Sequence, residues 1–278
     1  MTEMSARIQR LDPEPHPAAT LPVRHAAETL RLMSYNIQTG IETRQYHHYL
    51  TRSWKHVLPH AARQDNLDRI AGTICDYDIV GLQEVDAGSF RSGFVNQVHY
   101  LAGQGAFPYC HFQTNRRIGR LARHSNGLLS RFRPLEMREH KLPGMIPGRG
   151  ALVVRFGGPQ ADLSVVLLHL ALSRRARMNQ MDFVAELIQD LPHAVVMGDF
   201  NCHSRAPELE RLLHRTRLME PLHHLHTYPS WRPQKNIDHI LVSDELEVRS
   251  AAVLDCPLSD HLPITMEIAL PADVELVA

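Results

Sequence analysis

The chain predicts an α/β sandwich, with two mixed, largely antiparallel sheets packed face to face and helices on the outside. Two observations predict it. Short apolar runs of strand length recur with few helical patterns between them, which fits two packed sheets better than one doubly wound parallel sheet. Polar residues able to do chemistry stand just beyond the ends of those runs, where a rigid sheet can hold several groups at fixed separation.

Residues 1–26 are rich in proline and lack periodicity, so they predict a flexible arm, with residues 27–278 forming one domain. Residues 30–37 read as the first strand. Residues 46–59 are aromatic and His-rich without a clean period, an insertion or a short helix. Leu67, Ile70, Ala71 and Ile74 recur at helical spacing, so 66–75 predicts an amphipathic helix. It feeds "DIVGLQE" (78–84), a strand ending in a carboxylate. Further strands are predicted at 127–130, 151–155 and 163–170, followed by a helix at 173–189 with Ser173 as N-cap. The remaining strands are expected at 193–197, 237–242, 247–254 and 263–268. No repeat or break in composition divides the domain.

Composition narrows the function classes. Apolar residues make up 44% of the chain and charged residues 22%, enough for a sizeable core. No apolar run approaches the ~20 residues that span a bilayer, and residues 1–24 lack the apolar stretch of a secretory signal. Cys75, Cys110, Cys202 and Cys256 show no CxxC spacing, which points to reduced thiols in a cytoplasmic protein. Thirty Lys+Arg balance thirty Asp+Glu, so no global positive field draws the chain to a polyanion. That weakens a nuclease reading but leaves room for charge concentrated on one face.

The strand-end residues are Asn36, Glu84, His169, Asp199 with Asn201, Asp238, and the Ser259-Asp260-His261 run. Each alone has a plainer explanation. Asp199-Phe200-Asn201 after Gly198 reads as a tight turn closed by Asx bonds. Asp260-His261 reads as a surface pair among nineteen histidines, Glu84 as a solvated strand end, and His169 as a core histidine. The chemical readings are equally concrete. Asp199 could bind metal or take a proton from water while Asn201 donates to a phosphoryl oxygen. A carboxylate beside His261 would set its tautomer and raise its pKa. Hard oxygen donors such as Glu84 suit magnesium, which needs only one or two protein carboxylates.

Seven stretches change the weight of these residues. They are "MSYNI" (33–37), "IVGLQEVD" (79–86), "SNGLLSR" (125–131), "VVLLHLALSRRARMNQ" (165–180), "VVMGDFN" (195–201), "TYPSWRPQKNIDHILVS" (227–243) and "LSDHLPI" (258–264). In this order the series resembles the endonuclease/exonuclease/phosphatase superfamily, which includes pancreatic-type deoxyribonucleases, abasic-site endonucleases, bacterial sphingomyelinases and inositol-polyphosphate phosphatases. The resemblance implies the four-layer α/β/β/α sandwich of deoxyribonuclease I-like proteins and a magnesium-dependent hydrolase, with manganese as substitute. It implies that Asn36 and Glu84 hold the metal, and that Asp260 reaches a second metal position. Asp199 would orient or deprotonate water, Asn201 and His169 would contact the phosphate, and Asp238 would buttress His261 near the leaving or non-bridging oxygen. Asn126 and Arg232 are the expected substrate contacts.

The substrate is less legible. Arg116, Arg117, Arg120 and Arg123 form one basic cluster with His124, and Arg174, Arg175 and Arg177 form another. Each is either a solvated face or a rim that grips extra phosphates. Tyr46, Tyr49, Trp54, Phe90 and Phe94 read first as core, and otherwise as an apolar wall for a lipid or small headgroup. Aromatic residues make up only 6% of the chain, which leaves few platforms for stacking bases. The expectation is a monomeric phosphodiesterase or phosphatase acting on a non-nucleic substrate, a phospholipid or a small phosphoester. A nuclease is the alternative, and a non-catalytic binding member the third reading. The densest histidine run, "HHLH" (223–226), reads as a loop rather than a zinc site.

Overall fold

The computed structural model describes residues 28–41, 61–145, 147–158, 161–221 and 225–278. The predicted arm, the 46–59 segment with Tyr46, Tyr49 and Trp54, and His223 and His224 lie outside the described residues. Two six-stranded sheets make up the structure. In strand order the first contains β11 (Val248–Val253), β12 (Ile264–Ala269), β1 (Thr29–Asn36), β2 (Ile79–Asp86), β4 (Ala122–Ser130) and β3 (Tyr109–Ile118). The second contains β5 (Glu136–Lys141), β6 (Gly150–Gly157), β7 (Asp162–His169), β8 (His193–Asp199), β10 (Asp238–Ser243) and β9 (Leu218–Met219). Each sheet has one parallel pair, β1 with β2 and β7 with β8, and is otherwise antiparallel.

Alternation along the strands builds the layers. Leu30 and Leu32 of β1, Leu163, Val165 and Leu167 of β7, Val195 and Met197 of β8, and Ile240 and Val242 of β10 fill the space between the sheets. Their neighbours point outward. Met33 and Tyr35, with Val80 and Leu82, pack under α1 (Ala61–Ile74) and α2 (Gln97–Gln104). Val166, Leu168, Val196 and Leu241 pack under α3 (Arg174–Ile188) and α4 (Pro207–Arg215). Burying each large apolar side chain contributes about 1.5–3 kcal/mol, so three such layers hold the sandwich. Gly81 lets the sheets approach. A Cβ there would stand 2.6 Å from Leu167 Cδ1 and 2.8 Å from Met197 Cε.

The predicted strands and the two predicted helices are present, with ends shifted by a few residues. Ser173 does precede α3, but its side chain makes no capping bond. The elements the sequence reading lacked are α2, β3, β5, α4 and β9. The first basic cluster, expected ahead of a strand, lies within the β3–β4 hairpin. Phe90 and Phe94, read first as core, are exposed. All four cysteines are free thiols. No helix of the described residues is long and apolar enough to cross a membrane.

Candidate functional site

The same two-residue period that fills the core also delivers the site. Counting in steps of two, Leu32 leads to Asn36, Leu167 to His169, Met197 to Asp199, and Ile240 back to Asp238. Each polar residue therefore ends an inward-facing row at one end of the sandwich. Register joins them, since His169 pairs with Asp199 and Asp238 pairs with Asp199 from the other side. Gly198 makes this possible. Its φ is +148°, and a Cβ there would stand 1.9 Å from the Leu168 carbonyl oxygen.

Asp199 is buried at the centre. Its Oδ1 accepts from the Asn201 backbone N–H at 2.9 Å, and its Oδ2 accepts from Asn36 Nδ2 at 3.1 Å. His169 Nε2 lies 3.4 Å and His261 Nε2 3.9 Å from the same Oδ2. Burial, together with Asp238 and Glu84, outweighs the pull of His261 and the Asn201 amide and pushes Asp199 up to about 7. Asn201 sits at φ +53°, a region asparagine tolerates, and its Nδ2 donates to the Leu170 carbonyl at 3.0 Å.

His261 is held by Asp238. Its Nδ1 lies 2.8 Å from Asp238 Oδ2, the Thr227 hydroxyl donates to that same oxygen, and the Tyr228 ring packs 4.9 Å away, centroid to centroid. Burial lowers the pKa of this imidazole, but Asp238, Asp260 and Asp199 raise it further, to well above 6.5. His169 goes the other way. Burial and the Arg149 guanidinium hold it well below 6.5, so it is neutral. Arg149 Nη1 lies 3.1 Å from His169 Nδ1, which therefore accepts, leaving the proton on Nε2 facing Asp199.

Glu84 reaches the site by a different route. Simple alternation would place it with Val80 and Leu82 under the helices. A bulge in the β2–β4 pairing between Leu82 and Val85, with Glu84 at φ +56°, brings it round to Asn36, Asp260 and His261. Loss of water and the Asp260 charge raise its pKa, against His261 and Asn36. Asp260 is buried and accepts from the Ser259 hydroxyl at 3.1 Å. Asn126 is buried on β4, its Nδ2 donating to the Gly150 carbonyl at 3.3 Å beside Arg149. Arg232 lies in the turn before β10 with its side chain exposed. Sequence reasoning missed Arg149 and Thr227. The available signal for Arg149 was a lone arginine between Gly148 and Gly150, just ahead of the apolar run of β6.

Among the described residues, Asp199, Asp238 and His261 offer ligand atoms within 4.8 Å of one another. Asp238 Oδ1 is buried without a hydrogen-bond partner. Residues 33–261 match the Endonuclease/Exonuclease/phosphatase family. The chain belongs to that family. Members of the family hydrolyse phosphoesters, and this chain carries the family's fold over most of its length. An endonuclease/exonuclease/phosphatase from Beutenbergia cavernae DSM 12333 superposes with a TM-score of 0.69 at 20% identity, over 89% of this chain and 73% of that one. A mannosyl-6-phosphatase from Bacteroides thetaiotaomicron VPI-5482 gives 0.64 at 18%, over 87% and 100%. The human Nocturnin catalytic domain with bound sulfate gives 0.62 at 17%, over 88% and 95%. At these identities the likeness is one of fold. No curated protein matches.

Proposed function

We propose that this family member is a divalent-metal-dependent phosphodiesterase or phosphatase that attacks a non-nucleic phosphoester with activated water, using magnesium, or manganese in its place. One observation carries the reading. Glu84, Asp199, Asp238 and Asp260 converge at one end of the sandwich, and Arg149 and the His261 imidazolium alone do not balance them. Burial first, and then the neighbouring carboxylates, raise the pKa values of Glu84 and Asp199. A hard cation relieves the excess of negative charge, and the oxygen donors, including the unpartnered Asp238 Oδ1, fit one.

Glu84, Asn36 and Asp260 would hold the cation, and the Asp199 and Asp238 carboxylates lie at the same end of the sandwich. When bound, the cation supplies positive charge against the phosphoryl and leaving oxygens. The chain's own residues do the rest. Asp199 accepts a proton from the attacking water while Asn36 and the Asn201 backbone amide fix its orientation. The neutral His169 donates from Nε2 to a phosphoryl oxygen, and Asn201 offers its second amide hydrogen. His261, kept protonated by Asp238, donates where charge develops on the leaving or non-bridging oxygen.

The printed name of the mannosyl-6-phosphatase neighbour supports a small phosphoester, and the balanced net charge disfavours a polyanion. A nuclease is the second reading, favoured by the exposed arginines of the β3–β4 hairpin. The test is a screen of purified protein with magnesium against bis-p-nitrophenyl phosphate, inositol phosphates, phospholipids, RNA and plasmid DNA, with Asp199→Asn as control. Metal-stimulated turnover of a non-nucleic substrate, lost in the control, is expected. Nicking of plasmid alone would replace the first reading with the second, and no turnover on any class would remove both.

A further inference from the structure

Exposed apolar side chains are unevenly placed on this protein. Nine large ones are exposed among the described residues, and six lie beyond the end of the sandwich that carries the site. Phe90 and Phe94 follow β2, Ile118 and Leu121 form the tip of the β3–β4 hairpin, Met145 precedes β6, and Leu172 follows β7. Strand register fixes the placement. Asp86, just past Glu84, pairs with His124, and Ala151 pairs with Leu168 beside His169, so all four loops overhang the catalytic end. Exposure reaches 50% at Leu121, 58% at Phe94, 76% at Leu172 and 99% at Met145. Single exposed apolar residues are ordinary, but six of nine grouped at one end are not.

Charge on the same loops has one sign. Neither 87–96 nor 110–124 contains an Asp or Glu. Arg116, Arg117 and Arg120 are exposed there without a carboxylate partner among the described residues, and so is Arg175 beside Leu172. On other faces Arg138, Arg155, Arg211, Arg215, Arg217 and Arg249 each meet an acid. The loops are also braced. Buried Asp86 accepts from the Ser89 N–H and hydroxyl, each at 2.7 Å, from Ser92 Oγ at 3.0 Å and from Arg91 Nε at 2.5 Å. Phe90 N–H donates to the Arg120 carbonyl at 2.9 Å and Arg91 N–H to the Leu121 carbonyl at 3.2 Å. The aromatic turn is thus locked to the hairpin tip, and its rings are held outward.

We propose that these loops form a docking face for an anionic lipid bilayer, with the apolar tips entering the acyl boundary and the arginines meeting lipid phosphates. A polynucleotide would use the arginines but leave Ile118, Leu121, Met145 and Leu172 in water. A second copy related by a two-fold axis would set arginine against arginine. The face holds whatever ester the site cleaves, because it is read by binding and not by turnover.

The experiment is co-sedimentation of the full chain with phosphatidylcholine vesicles, with and without phosphatidylglycerol. Binding to the anionic vesicles is expected, weakening with salt. Replacing Arg116, Arg117 and Arg120 with Gln together should lower the partition coefficient on the order of a hundredfold. Phe94→Ser with Leu121→Ser should lower it at least roughly tenfold. Both variants should keep the parent's circular dichroism and thermal midpoint, which separates lost docking from lost folding. No binding to anionic vesicles overturns the proposal, as does vesicle binding indifferent to the two serines. Tighter binding to duplex DNA that ignores the serines would assign the face to a polynucleotide. Self-association abolished by the serines, without vesicle binding, would assign it to a second copy.

Discussion

Asp238 gives a single carboxylate oxygen to both His261 Nδ1, at 2.8 Å, and the Thr227 hydroxyl, while its other oxygen is buried and unpartnered. The shared oxygen fixes the ring and keeps its Nε2 hydrogen pointing into the site. Asp238→Asn retains the shape and removes the charge. It should lower kcat by about 100-fold or more and bring the His261 titration down towards the ordinary histidine range. Steady-state kinetics and a histidine NMR titration read the two effects. A His261 titration unmoved by the substitution would remove Asp238 from this role.

Asp199 has a predictable effect on stability. In metal-free protein its pKa rises from an ordinary 3.8 to about 7. The folded state therefore binds this proton more tightly than the unfolded chain does, and stability must fall as pH rises between those two values. His261, also raised, adds a slope of the same sign above 6.5, lost as pH climbs through its folded value. Asp199→Asn should remove the carboxylate's share. In EDTA at pH near 8 the variant should melt higher than the parent, while its turnover falls at least ~100-fold. Thermal midpoints across pH check this, and parallel curves for the two proteins would contradict it.

Arg149 stands beside His169, on the ring nitrogen away from Asp199, and feels the charges of Glu84 and Asp199. Burial lowers its pKa, and Glu84 and Asp199 push it back up. Its guanidinium donates to His169 Nδ1 at 3.1 Å. Losing it would free that nitrogen to take the proton, turning the acceptor face towards substrate. Arg149→Ala should cost about 10- to 100-fold in kcat/KM, and Arg149→Lys should rescue little because an ammonium lacks the planar fork. Full rescue by lysine would reduce the residue to a point charge.

Much of this site was legible, and the reasons are physical. Asn36, His169, Asp199 and Asp238 all stand at an end of strands that are apolar on both faces, and the period of two along each strand carries these four to the inner face. Glu84 breaks the period, and only the bulge beside it explains its place. Nothing in "VGLQEVD" announces that bulge. The hairpin strand β3 and the edge strand β5 escaped because "YCHFQTNRRI" and "EMREHK" carry few apolar residues, as exposed edges often do. Phe90 and Phe94 were misread because aromatic rings are usually buried. Here the Asp86 network holds their turn away from the core.

Two glycines should respond oppositely to alanine. Gly198 lies at φ +148°, and its added methyl would strike the Leu168 carbonyl at 1.9 Å, inside the β7–β8 pair that positions Asp199. Gly198→Ala should cost more than ~4 kcal/mol or prevent folding. Gly72, exposed on α1 with nothing within 4 Å of its added carbon, should gain about 0.5–1 kcal/mol on becoming alanine. Denaturant midpoints decide both. A stable Gly198→Ala protein would mean that β7 and β8 pair differently from the register described.

Cation binding should be visible without substrate. Burial, with the Asp238 and Glu84 charges, raises the proton affinity of Asp199, and a divalent ion entering that site must displace the proton. Near pH 7, magnesium should therefore raise the thermal midpoint of the EDTA-treated protein and release protons into weak buffer. Glu84→Gln removes one negative charge from the cluster and one oxygen donor of full charge, so its midpoint should rise much less at the same magnesium concentration. Its metal-free midpoint should equal or exceed the parent's, because the repulsion between Glu84 and Asp260 is gone. Equal magnesium shifts in the two proteins would place the ion elsewhere.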